Sequence, residues 1–307
     1  MKSLSIFMTF LMMTHLSVAQ TLAEKLGYSS TDKLLIVNAD DAGMCHAANV
    51  AVMDGMKKGK ITSASIMVPC PWFREIAEYA VENPASDFGV HLTHTAEWKF
   101  YKWGPVVSSD KVPGLIDAQG YLWPGVRRVY ENATAEEALI EGRAQIQKAL
   151  DAGIPVTHLD SHMGTMQLHP DYVAAYLQLA KEFDLPVRMA SQQTLAARGF
   201  AELRGMFAAE GIYFPDYFIY EELESYDEDV KAFWTRILKS LKPGVTELYI
   251  HPAIPNDELK AITNSWKTRG LEYEVFVNDA DIQNLMQAEG IIRIGYKPIL
   301  DLQRSTQ

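Results

Sequence analysis

The chain has 307 residues, 48% of them hydrophobic and 22% charged, which is the composition of a folded globular protein. A chain of this length buries about three quarters of its unfolded surface. A formal net charge of −11 argues against a nucleic-acid partner, because phosphate-backbone binders concentrate Lys and Arg. Like charges form no long run, which sets aside an acidic tail and a basic membrane-surface helix.

Residues 1–19 differ from the rest. One early lysine, an apolar run from Leu4 to Met13 and the small-x-small exit Ser17-Val18-Ala19 describe a secretory signal. The apolar run is too short for a membrane anchor, which needs about 20 residues. The expected mature protein therefore starts near Gln20, is exported to the periplasm or secreted, and is free of the membrane. Only Cys45 and Cys70 are available in that oxidising compartment. They lack zinc-ligand spacing, and either one disulfide or two buried free thiols fits them.

After the signal, strand and helix patterns alternate. Strands are predicted over Lys33–Asp40, Thr62–Val68, Asp87–Thr93, Pro155–Ser161, Leu185–Ala190, Glu247–His251 and Ile291–Gly295. Helices are predicted over Ala47–Lys58, Trp72–Glu82, from the capping-box pair Thr134 and Glu137 to about Leu150, and over Pro170–Phe183. The strands are short and nearly all apolar, as when both faces are covered. About seven βα units in one domain over 20–307 favour a distorted TIM-like (β/α) barrel of parallel strands. An open doubly wound sheet is the alternative, although no GxGxxG opens the first helix. A long irregular segment, His94–Asn132, carries Trp98, Tyr101, Trp103, Tyr121 and Trp123. It reads as a sugar-stacking loop, as a loop packed on its own aromatics, or as a self-association surface for a homodimer.

Polar residues gather at strand ends. Asp40-Asp41 closes the first strand, His91 ends the third, His158, Asp160 and His162 alternate along the fourth, and His251 closes a later one. Carboxyl ends of parallel strands converge on the active site in α/β folds. Residues at i, i+2 and i+4 share a face, so His158, Asp160 and His162 point the same way. Among these, His162 lies nearest the rim and is placed for a metal; Asp160 suits the orienting of a neighbouring imidazole; His158 lies deeper and suits a core position or a supporting one. Imidazoles and carboxylates are costly to bury unless paired or metal-bound. His94 falls in a loop with solvent expected around it, His46 in a first helical turn and His169 at a helix start.

The ordered segments LLIVNADDAG, GKITSASIMV, GVHLT, THLDSHM, LPVR and IHPA resemble the YdjC-like carbohydrate deacetylases, also called the ChbG/HpnK family, over about Leu34 to Pro252. The resemblance implies a polysaccharide-deacetylase-like barrel that hydrolyses an acetyl group from an amino sugar or oligosaccharide. It implies one divalent metal ion, zinc or magnesium, on Asp41, His91 and His162. It also implies Asp40 as base, His251 as acid, and Arg188 positioning the active-site carboxylate or substrate. The chain departs from the family at DSHMGTM, where further histidines are usual, and at Ala42 and Cys45, where Phe and Ser are usual. Those positions bear on substrate preference. Rival readings are a glycoside hydrolase using Asp40 and Asp160, a non-haem iron oxygenase, and a non-catalytic carbohydrate-binding protein.

Overall fold

The computed structural model describes residues 20–219 and 229–306, so the expected secretory signal lies outside the described residues. A one-turn helix α1 (Leu22–Lys25) precedes β1 (Lys33–Ala42), α2 (His46–Lys57), β2 (Ser63–Ile66), α3 (Phe73–Glu82) and β3 (Phe88–Leu92). After the aromatic segment come α4 (Val126–Asn132), α5 (Ala135–Asp151), β4 (Val156–Ser161) and α6 (Pro170–Phe183). The remainder holds α7 (Gln192–Ala197), α8 (Leu203–Ala209), β5 (Tyr217–Phe218), α9 (Val230–Ser240) and β6 (Gly244–Ile250). It ends with α10 (Asp257–Ile262), α11 (Trp266–Tyr273), α12 (Ala280–Ala288), β7 (Ile291–Arg293) and α13 (Lys297–Ser305).

The seven strands found among the described residues form one sheet in the order β4-β3-β2-β1-β6-β5, every ladder parallel. Strand β7 pairs with Lys33–Leu35 at the start of β1, below the point where β2 joins at Asn38. The sheet curls, and residues 186–188 bridge its ends. Leu159 N donates to Pro186 O, Arg188 N to Leu159 O, and Val187 N to Tyr213 O just before β5, at 2.9–3.0 Å. The fold is therefore the expected distorted barrel. The strand predicted over Leu185–Ala190 shrinks to a single bridge between Leu159 and Val187. Pro186 has no amide hydrogen with which to extend the ladder. The two-residue β5 was missed, being too short for a periodic signal.

Two-residue alternation sorts β1. Leu35, Val37 and Ala39 join the large core shared with the surrounding helices, whereas Leu34 and Ile36 join a smaller cluster with Val245, Ile294, Tyr296 and Ile299. That smaller cluster fills the barrel floor. The capping box at Thr134 forms as predicted, with Thr134 Oγ1 accepting from Glu137 N and Glu137 Oε2 accepting from Thr134 N. Cys45 and Cys70 are buried free thiols, and burial raises both above the ordinary thiol value.

His158 belongs to the floor. Its ring stacks on Tyr296 at 3.9 Å between centroids and 9° between planes, and a Cβ on Gly89 would land on its ring atoms. Burial lowers its pKa to about 3, so it is held neutral. Gly89→Ala is expected to cost about 1–3 kcal/mol of overpacking. That predicts a Tm lower by roughly 5 °C in thermal melts. An unchanged Tm would show that the imidazole can move aside.

Candidate active site

The barrel interior is layered because alternate residues of each strand point inward. Along β4, His158 lies at the floor and Asp160 in the middle, with His162 just past the strand at the rim. Along β6 the inward series is Val245, Glu247, Tyr249 and His251. Sequence alternation anticipated the shared face of His158, Asp160 and His162, but the Asp160 layer separates His158 from the rim. His158 is enclosed by Gly89 and Tyr296 and is not among the residues that line the cleft.

Asp40 and Asp41 are neighbours in β1, so strict alternation would aim them at opposite faces. Asp41 instead adopts a left-handed backbone with φ 66°, and the β1/β2 register shifts between Ala39 and Ala42. A bulge of this kind re-aims a side chain, at the cost of local strain in a non-glycine residue. Both carboxylates consequently face one cleft.

At the rim, three ligand atoms face one another. Asp41 Oδ1 lies 3.5 Å from His91 Nε2 and 3.4 Å from His162 Nδ1, and those two nitrogens are 3.3 Å apart. Each imidazole is oriented from behind: His91 Nδ1 is 2.6 Å from Asp160 Oδ1, and His162 Nε2 is 3.1 Å from Glu97 Oε2. With those outer nitrogens donating, the inner pair present lone pairs toward each other and toward Asp41. Asp41 Oδ1 is buried and accepts no hydrogen bond among the described residues. Two lone-pair nitrogens and an orphaned carboxylate oxygen at this spacing suit a cation. Ligands about 2.0–2.1 Å from a tetrahedral ion stand roughly 3.3–3.4 Å apart.

Without a cation, the surrounding carboxylates favour protons on both imidazoles. Burial opposes the charged imidazolium at His91, yet Asp160 outweighs it and raises the pKa to about 10. Burial likewise opposes His162, while Glu97 and Asp41 raise it to about 9. In Asp41 burial favours the neutral acid, but Arg269 and the two imidazoles hold it well below the usual carboxylate range. The centre is thus rich in negative charge that protons or a cation must balance.

A second group, Asp40, His91 and Asp160, also brings its ligand atoms within 4.8 Å of one another. Here a guanidinium supplies the positive charge. Arg188 forks onto both Asp40 oxygens at 2.7 Å, its Nη1 lies 3.0 Å from Asp160 Oδ2, and its Nε donates to Glu247 Oε1 at 2.8 Å. The rings of Phe218 and Tyr249 lie 5.0 and 5.4 Å from its central carbon. Arg188 is 4% exposed, so these ion pairs are buried. Tyr296 donates to the far oxygen of Glu247 at 2.5 Å, and burial raises Glu247 to about 7.

His251 lines the same cleft, with Nε2 4.0 Å from Asp41 Oδ2. Its surroundings lower its pKa, desolvation first, with Arg269 adding and Asp41 opposing. Helix α11 holds this side together. Arg269 Nη2 donates to Asp41 Oδ2 at 2.7 Å, and Glu272, one turn on, accepts from His251 N at 2.7 Å.

Sequence reasoning missed Glu97, Glu247, Arg269 and Glu272. Glu97 carried a weak signal, six residues past His91 in a segment already marked. Arg269 and Glu272 at i, i+3 of a helix read as an ordinary surface pair. One loop expectation fails. His94 is buried, with Nε2 3.0 Å from Ala138 O, and burial lowers its pKa to about 4. The aromatic segment instead follows one of its expected readings, packing on its own aromatics: Trp98, Tyr101 and Trp103 contact one another at 5.4–6.3 Å, and Tyr101 Oη donates to Met44 O. The described cavity wall takes its aromatics from Tyr176, Phe200, Phe207, Phe218 and Tyr249 instead.

Comparison with known proteins matches residues 34–287 to the family model described as YdjC-like protein. A protein of Thermoanaerobacter pseudethanolicus named carbohydrate deacetylase is 32% identical over 86% of this chain and 98% of its own. One of Thermus thermophilus with the same name is 32% identical over 82% and 89%. A solved structure from Enterococcus faecalis V583, named for cellobiose-phosphate cleavage, is 26% identical, with TM-score 0.74 over 88% of this chain and 99% of that one.

Proposed function

We propose a function from one premise: the chain belongs to the YdjC-like protein family. Its proposed reaction is hydrolysis of the acetyl amide of an N-acetylated amino sugar or oligosaccharide, in agreement with the name its relatives carry. The observation that carries the reading is the trio of Asp41 Oδ1, His91 Nε2 and His162 Nδ1, mutually 3.3–3.5 Å apart, with no donor to Asp41 Oδ1 among the described residues. These three residues would hold one divalent ion, and two imidazoles favour zinc over magnesium, which prefers all-oxygen sites. When bound, such an ion lowers the pKa of water and polarises a carbonyl.

The chain's own residues supply the rest. Asp40 accepts the proton of the attacking water. Arg188 fixes the plane of that carboxylate while it also bonds Glu247 and faces Asp160. His251, across the cleft, delivers a proton to the departing amine, and because burial lowers its pKa to about 4 in the free site it must first take that proton up during the reaction. Asp160 and Glu97 hold the two ligand imidazoles in the required tautomers. The glycosidase alternative loses support: Asp160 is 0% exposed and shares one guanidinium with Asp40, whereas such a pair needs to flank a sugar across about 5–9 Å. The enzyme is proposed to be exported, on the strength of residues 1–19.

The test is acetate release from N-acetylated and O-acetylated sugars. Release from the amides should disappear with chelator and return with zinc. Asp40→Asn should lower kcat by roughly 100- to 10,000-fold with metal content unchanged by elemental analysis. Chelator-resistant release would sink the metal reading, and full turnover in Asp40→Asn would remove that residue from the base role.

A further inference from the structure

Asp41 divides its two oxygens between different charges. Oδ1 faces the imidazole nitrogens of His91 and His162 and accepts no hydrogen bond among the described residues. Oδ2 accepts from Arg269 Nη2 at 2.7 Å. Arg269 takes no part in the proton transfers, yet it is buried against the metal trio and lines the cleft. Its guanidinium is fixed from several sides. Nε donates to Ser265 Oγ at 3.0 Å, one turn earlier and just before α11, and the Trp98 ring lies 5.8 Å from the central carbon. The backbone is tied as well, since Arg269 O accepts from Ala253 N at 3.2 Å. Nη1 finds no acceptor among the described residues. A buried donor without an acceptor is unfavourable, so hydrogen-bond saturation does not account for an arginine here. Its contact with Asp41 does.

For a cation this contact matters in two ways. With Oδ2 occupied, Asp41 has one oxygen left to bind with and cannot chelate through both. The guanidinium also adds a positive charge beside the ion, in a buried site where screening is weak. Zinc is satisfied by four ligands and takes a single carboxylate oxygen together with imidazoles. Manganese seeks six ligands, preferably oxygens, and gains from every further carboxylate oxygen it can reach. From the division of Asp41 we infer that Arg269 is a positioning residue that selects the metal. By holding Oδ2 it restricts the centre to an ion content with few protein ligands and disfavours oxygen-seeking ions of higher coordination number. This rests on the metal reading above.

The test is a competition titration of the metal-free protein with zinc and manganese(II), following free manganese by electron paramagnetic resonance. Arg269→Met frees Oδ2 and removes the charge. Manganese should then bind more tightly, and the zinc-to-manganese affinity ratio should fall by roughly tenfold to a hundredfold, the usual range for a residue that supports a metal ligand. Ser265→Ala, which only loosens the guanidinium, should move the ratio in the same direction by about fivefold, the worth of one hydrogen bond, and it decides the matter if Arg269→Met does not fold. A merely structural arginine gives the opposite sign for manganese, because its loss loosens Asp41 and weakens both ions together. Such parallel weakening, or an unchanged ratio, overturns the inference. A wild type that takes up neither ion, or a His162→Ala protein that takes up both as the wild type does, shows instead that the metal reading has failed, and the inference falls with it.

Discussion

His162→Ala is expected to leave the protein unable to retain zinc through dialysis and to reduce acetate release by about a thousandfold or more. The size follows from what is removed. A metal centre contributes several kcal/mol of transition-state stabilisation, and ~4 kcal/mol corresponds to about a thousandfold. His162 supplies one corner of the 3.3–3.5 Å ligand triangle, and what stays behind is Asp41 and one imidazole. Elemental analysis beside the activity assay separates this from a purely structural loss. A His162→Ala protein that keeps stoichiometric zinc would sink the assignment of the trio.

The metal-free wild type should show the same electrostatics through pH. His91 and His162 have folded pKa values raised to about 10 and about 9, by Asp160 and by Glu97 with Asp41, against burial. Groups raised on folding stabilise fully below their unfolded value, about 6.5 for histidine, and lose that contribution as pH climbs through the folded values. The Tm of the metal-free protein should therefore fall between about pH 6.5 and pH 9–10, and zinc should abolish most of that slope. A Tm that rises over this window without metal would contradict the charge balance described for the site.

Arg188→Met is expected to cost the most stability of any single change in the barrel. The methionine keeps much of the stem's volume, but it strands Asp40, Asp160 and Glu247 around an apolar group. Removing one member of a buried ionic cluster costs about 3–5 kcal/mol, because the remaining charges lose their compensation. For a chain of this size that lowers Tm by roughly 10 °C in calorimetry. Turnover should fall with it, by about a hundredfold, since Asp40 would no longer be held in plane by the fork. Arg188→Lys should recover part of the stability and little of the rate, because an ammonium cannot bond both Asp40 oxygens and Glu247 with the guanidinium's geometry. A Met variant that melts like the wild type would show that the three carboxylates find other partners.

Most of the fold could be read from sequence because its signals are local. Runs such as Lys33–Asp40 and Pro155–Ser161 are apolar and bounded by turn residues, and Thr134 with Glu137 marks a helix start wherever it occurs. The meeting of Asp41, His91 and His162 could also be anticipated, since each sits near a strand end, strand ends converge in a parallel barrel, and the family resemblance pointed to these three residues together. Alternation along β4 set which of its side chains share a face. How deep each lies was decided only by the stack of His158 on Tyr296, a residue 138 positions later in the chain.

What the tertiary structure alone decided are the contacts made across the barrel. The left-handed turn at Asp41 depends on a register shift against β2, so no local pattern announces that two adjacent carboxylates share one cleft. Nothing local marks Glu247, Glu272 and Arg269, because their partners lie on distant segments: Arg188 for the first, the His251 amide for the second and Asp41 for the third. The cleft wall is likewise assembled from Leu168, Met189 and Phe207, which no periodicity links. Sequence encodes local propensity and facing; the partner of a buried charge and the shape of a cavity are set by which segments the closed barrel brings together.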